Sequence, residues 1–190
     1  MRGRPRGRRR IGFELMRRLG LLLVIFLLSG AAGRAAETLR IVPISADDRV
    51  VVSVELSDAY TDEVRQAIAS GLRTTFTYTI DLRMLVPGWV DRTVATSTVS
   101  LSDQYDNLTR RHTLSRVIDG RVDETTVTED DAAVRQWLTT LTRVPIIRTA
   151  RLDSSRDYYV RISAQARPRG GSLLGFTSAI TGQAKFTLIP

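Results

Sequence analysis

The chain has 190 residues, no cysteine and one histidine, with 28 Lys+Arg against 20 Asp+Glu for a formal net charge of +8. Nine of the arginines and one of the glutamates fall in residues 1–36, so residues 37–190 keep 19 basic and 19 acidic side chains and are formally neutral. A neutral body has no large basic excess from which to build a nucleic-acid face, and the lack of cysteine excludes disulfides, thiolate zinc and a lipid-carrying thiol.

Residues 1–36 read as an export leader. Arginines precede a ten-residue apolar run, Leu19 to Leu28, and small residues follow, with cut sites expected after Ala31, Gly33 or Ala35. The rival reading is an uncleaved anchor whose Arg17 and Arg18 stay in the cytoplasm. A spanning helix wants about 20 apolar residues, and this run is half that. Met16 with Arg17 and Arg18 is by itself an adequate leader start. The expectation is a periplasmic or secreted protein on the general secretion route, with an inner-membrane anchor facing the periplasm as the alternative. The remaining 154 residues suit a single domain that buries roughly 68–70% of its unfolded surface.

Alternation dominates residues 37–190. Leu39 to Ile44 and Val50 to Leu56 form an opening hairpin turned by Asp47 and Asp48. Thr61, Asp62 and Glu63 then open a helix with Val64, Ala67 and Ile68 on its apolar stripe and Gly71 at its end. In Thr74 to Leu85, Phe76, Tyr78, Ile80, Leu82 and Met84 share one face, while Thr75, Thr77, Thr79, Asp81 and Arg83 share the other. One face buried and one face wet implies antiparallel pairing.

Pro87 and Gly88 break that run. Strands at Val94 to Gln104 and Thr109 to Ile118 follow, and Asp119 with Gly120 turns a hairpin into Arg121 to Val127. A second helix is expected from Thr128, with Glu129, Asp130 and Asp131 in its first turn and Val134, Trp137, Leu138 and Leu141 as its buried stripe. The last strands are Val144 to Thr149, Tyr158 to Ala166 and Ala184 to Ile189. The expected fold is mainly β or α+β: an antiparallel sheet or sandwich of about eight strands with two amphipathic helices.

Chemistry is thinly marked. His112 lies on the inward face with Leu114 and reads as a core histidine with one satisfied nitrogen. No GxSxG elbow, P-loop or GxGxxG turn accompanies it. The acids Glu129 to Asp131 match no calcium loop and read as a helix start, where carboxylates meet the positive helix end. No catalytic, metal or cofactor site is expected. Asn107 to Thr109 is an N-x-T sequon whose structural reading is a hairpin turn. Arg167 to Gly182 carries Leu173, Leu174, Phe176 and Ile180 among small residues; it folds over the core as a short helix or stays out as a docking patch. Trp89, in the Pro87 to Arg92 turn, is a second docking candidate if it does not cap the core.

Five stretches taken together resemble the bacterial family DUF4390: Gly71 to Leu85, the Trp89 Val90 Asp91 Arg92 turn, YDNLTRR at Tyr105 to Arg111, YYVRI at Tyr158 to Ile162, and AKFTLIP at Ala184 to Pro190. The resemblance implies a leader-bearing envelope protein linked to a membrane sensor kinase of the nitrogen-regulation type, with no activity or cofactor to carry over. An aromatic is the residue expected in relatives at the position of His112. The reading that follows is a non-enzymatic domain that binds a protein partner in the envelope, with Trp89, Leu173, Leu174, Phe176 and Ile180 as candidate contacts. The membrane is touched only through an uncleaved leader or a loop patch, and nucleic acid is not a partner. Two alternatives stay open, a carboxylate-dependent hydrolase of cell-wall or glycan substrates and a structural envelope module.

Overall fold

In the computed structural model, which describes residues 39–168 and 179–188, the period-two segments pair into two antiparallel sheets. Strands β1 (Leu39–Ala46), β2 (Arg49–Leu56) and β7 (Thr140–Arg148) make the smaller one in the order β1-β2-β7. The larger has the order β6-β5-β4-β3-β8-β9, built from β3 (Thr74–Met84), β4 (Arg92–Asp106), β5 (Arg111–Ile118), β6 (Arg121–Thr128), β8 (Tyr158–Pro168) and β9 (Ile180–Phe186). Two helices, α1 (Asp62–Ala69) and α2 (Asp131–Thr139), pack on these strands. The expected mainly β architecture is what the chain adopts, with nine strands among the described residues.

Both hairpin turns follow from their residues. Asp47 and Asp48 each sit at positive φ (52° and 56°), as do Asp119 (49°) and Gly120 (80°), which is the backbone of the primed two-residue turns that match strand twist. Asp119 adds a side-chain lock, its Oδ1 accepting the Thr98 N–H at 2.7 Å. Thr61 caps α1 through a 3.4 Å bond from the Val64 N–H. Gly71, at φ 77°, ends the helix region where the Leu72 N–H reaches the Ala67 carbonyl at 3.1 Å.

Several boundaries differ from expectation, among them β5, which starts at Arg111 and not Thr109, and β7, which starts at Thr140 and not Val144. Helix α2 begins at Asp131, not Thr128, because Thr128 is still paired with His112 in β6; Asp130 is the cap, accepting the Ala132 N–H at 2.9 Å. The helix ends at Thr139, so Leu141 is not on its stripe but in β7 opposite Val54, where it is buried all the same. The β-branched pair Thr139 and Thr140 favours that switch to strand. Strand β9 starts at Ile180, four residues before the expected Ala184, since Thr181, Gly182 and Gln183 continue the ladder with β8.

The core lies between the inner face of the large sheet, the small sheet and the two helices. Phe76, Tyr78, Ile80 and Leu82 of β3 meet Val160 and Ile162 of β8, Val50, Val52 and Val54 of β2, and Val134 and Leu138 of α2. The Tyr78 hydroxyl donates to the Leu138 carbonyl at 2.7 Å, which satisfies a helix-end acceptor inside the core; burial pushes that phenol up from its ordinary value. Gly182 allows the two sheets to close: a Cβ there would stand 3.0 Å from Leu39 Cδ2 and 3.2 Å from Ile41 Cδ1.

Candidate functional site

Residues Val99, Leu101 and Asp103 of β4 share the inward parity that begins opposite β3, and this carries a carboxylate into the core at the start of β3, where Asp103 pairs with Thr74. Asp103 is 1% exposed and His112, from the neighbouring β5, 4%. The two bond at 2.9 Å between Asp103 Oδ2 and His112 Nδ1. The other ring nitrogen, Nε2, lies 3.3 Å from Asp131 Oδ1 on the first turn of α2, a carboxylate that is 90% exposed. Tyr105 stacks on the ring at 4.5 Å between centroids.

Of these two contacts only the one from Nδ1 to Asp103 is a hydrogen bond; the approach of Nε2 to Asp131 is an ion-pair distance. An imidazolium, or a neutral imidazole protonated on Nδ1, donates that bond to the Asp103 carboxylate. Burial raises the Asp103 carboxyl above its ordinary value, against the opposing pull of the His112 bond and charge. Asp103 Oδ1 is buried and has no partner among the described residues. Tyr60 lies near enough that Asp131 and Asp103 add to the effect of burial in raising its phenol. Among the described residues Asp103 is the one buried acid, and no group of three metal-ligating side chains is assembled. Asp103 was not among the expected site residues; its inward parity with Val99 and Leu101 is the signal that marks it.

The sharpest exposed feature is at the opposite end of β3. Val86, Pro87, Gly88 and Trp89 form a tight turn closed by the Trp89 N–H on the Val86 carbonyl at 3.1 Å, with Gly88 at φ 74° in the position a type II turn reserves for glycine. Trp89 is 82% exposed and Val90 74% exposed, so Trp89 does not cap the core. Asp91 braces the turn from behind. Its Oδ1 accepts the Val86 N–H at 3.2 Å, its Oδ2 accepts the Tyr159 hydroxyl at 2.9 Å, and its carbonyl accepts Arg83 Nη2 at 2.8 Å.

Of the other candidate contacts, Leu173, Leu174 and Phe176 lie outside the described residues. Ile180 is no part of a free loop: it pairs with Ala164 in β9 and packs half-buried on the core, because the ladder with β8 extends through it. Asn107 and Leu108 are exposed in the turn between β4 and β5, where Asp106 Oδ1 accepts the Leu108 N–H at 2.8 Å. An open groove of about 950 Å³ runs beside the β1–β2 turn, lined by Asp47, Asp48, Arg49 and Arg148 among others, and shares no residue with either site above. No helix among the described residues is long and apolar enough to cross a membrane.

A family model described as "Domain of unknown function (DUF4390)" matches residues 34–168. No curated protein and no solved structure matches the chain.

Proposed function

Since the chain belongs to the DUF4390 family, whose description assigns no activity, we propose that it is an exported envelope domain that binds a protein partner through the Trp89 turn. The observation that carries this reading is the pairing of two exposed apolar side chains, Trp89 and Val90, with a turn held by three hydrogen bonds to Asp91. Tryptophan is among the residues that dominate interface energetics, and a turn already fixed in one shape loses little entropy on docking. The Arg-rich leader supports the envelope address, and an envelope sensor is the first partner to test.

The experiment places a photo-crosslinking amino acid at Trp89 in the full-length chain, in its own cells. A discrete adduct in the envelope fraction, weakened by Asp91→Ala and missing when the crosslinker sits at Thr142, is expected. Adducts identical at both positions, or none at Trp89, would overturn the reading.

A further inference from the structure

The β3, β8 and β9 part of the large sheet's outward face carries a segregated charge that overall neutrality conceals. Strand register places Arg83, Tyr159 and Lys185 in one row across β3, β8 and β9, and Asp81, Arg161 and Gln183 in the next. At the other end of the same face Arg167 pairs with Thr75, and Arg73 Nη2 donates to Ser102 Oγ at 3.0 Å. Five cations therefore share this face with two carboxylates, Asp81 and Asp91, which accept from Thr96 and Tyr159. The ion pairs among the described residues all lie elsewhere, on α1, at the β1–β2 turn, in the β5–β6 hairpin with α2, and in the loop before β8.

We propose that this outer face of β3, β8 and β9 binds an extended acidic glycan. Arg161 and Arg167 are six residues apart on one strand, which separates the two cation clusters by about 20 Å at 3.4 Å per residue. The ground between them is a field of hydroxyls, with Thr79, Thr98, Ser163 and Thr181 aligned across four strands, and this suits a hydroxylated polymer that bears carboxylates at intervals. Other polyanions fit less well. Strands β3 and β8 are paired on both sides, so a peptide finds a free backbone edge only at β9, the last strand of the sheet, and not over the ground between the two cation clusters. The exposed large apolar side chains nearest this face, Leu85, Trp89 and Val90, are confined to the turn beyond the end of β3, and the strands between the cation clusters carry none among the described residues. The one aromatic of the face, Tyr159, is half-buried, with Arg83 5.9 Å over its ring, whereas single-stranded nucleic acid wants several free stacking rings.

The test measures binding of the full-length chain to polygalacturonate, with dextran as the neutral glycan and polyglutamate and a DNA oligonucleotide as rival polyanions. The triple variant Arg161→Ser, Arg167→Ser, Lys185→Ser is expected to weaken polygalacturonate binding tenfold or more. Removing three cations elsewhere, with Arg40→Ser, Arg121→Ser and Arg151→Ser, is expected to change it less than twofold, although the net charge falls equally. All six side chains are exposed, and thermal melting of both variants verifies their fold. Equal loss in both triples, tighter binding of polyglutamate or DNA, or no preference over dextran would overturn the proposal. The cation triple is expected to keep the envelope adduct formed at Trp89, and loss of that adduct with glycan binding intact would sink the partner reading alone.

Discussion

The Asp103 cluster and the Asp91 turn lie at opposite ends of β3, and each is organised by one aspartate. At the first, the carboxylate goes into the core and takes a histidine with it. At the second, the carboxylate stays near the surface and is spent on backbone and hydroxyl donors, which leaves the neighbouring Trp89 and Val90 facing solvent. The same side chain thus stabilises a packed interior in one place and a presented surface in the other. What differs is how much water each has lost: Asp103 must be matched to be tolerated at all, while Asp91 stays partly exposed and braces the turn it belongs to.

The largest effect is expected from breaking the buried pair. His112→Ala leaves the Asp103 carboxylate without its partner in apolar surroundings, a change that costs about 3–5 kcal/mol. Thermal melting should show the midpoint fall by roughly 10 °C. Replacing both partners, with Asp103→Leu and His112→Leu together, should recover most of that loss, because no buried charge then remains. A single variant that melts within 2 °C of the parent would mean that the pair contributes nothing to holding α2 on the sheet.

At the other end, Asp91→Ala removes acceptors for the Val86 N–H and the Tyr159 hydroxyl. The expected cost is about 1–3 kcal/mol, the range for bonds to a charged group. The loss of bracing should appear more directly in the fluorescence anisotropy of Trp89, read in a Trp137→Phe background since these are the two tryptophans of the chain. Anisotropy is expected to drop while far-UV circular dichroism stays the same. An unchanged anisotropy would show that Pro87 and Gly88 fix the turn alone.

These two ends were unequally legible in the sequence. The turn was plain, since Pro87, Gly88 and Trp89 are local signals that act within four residues, as are the aspartates of both hairpins. The buried cluster needs β4 against β5, which brings Asp103 to His112 across the intervening turn, and α2 against both; no local pattern states that. Thr128 shows the same limit, for its capping chemistry is real but pairing with His112 keeps it in β6 and passes the cap to Asp130. Only the second half of β9 is legible in the sequence, because Gly182 carries no side chain to alternate, although its smallness is what lets β1 approach.

Protons offer a smaller and more specific way to separate the two aspartates. Burial raises the Asp103 carboxyl above 3.8, so between that unfolded value and the raised folded one the native state binds more protons than the unfolded chain. The stabilising contribution is complete below pH 3.8 and is lost as pH rises through the folded value, with a slope of at most about 1.4 kcal/mol per pH unit. His112 opposes the shift through its bond and its charge, so His112→Gln should raise Asp103 further and carry the falling limb to higher pH. Denaturant midpoints of parent and variant measured from pH 4 to 8 are expected to diverge as pH rises. Parallel curves would show that His112 does not set the Asp103 proton.

The smallest effect on stability, and the one that completes the contrast, is expected from Trp89→Ala. A side chain 82% exposed makes few contacts for folding to lose, and surface substitutions of this kind stay within about 0.5 kcal/mol. Asp91 keeps its three bonds, so the turn should hold its shape around the shortened side chain. A loss above 1 kcal/mol would mean that Trp89 packs on the protein in solution, and the case for its being held out for a partner would fail. If instead melting is unchanged while the envelope adduct formed by a crosslinker at Val90 disappears, the indole serves binding alone, and the rigidity supplied by Asp91 has its purpose in presenting it.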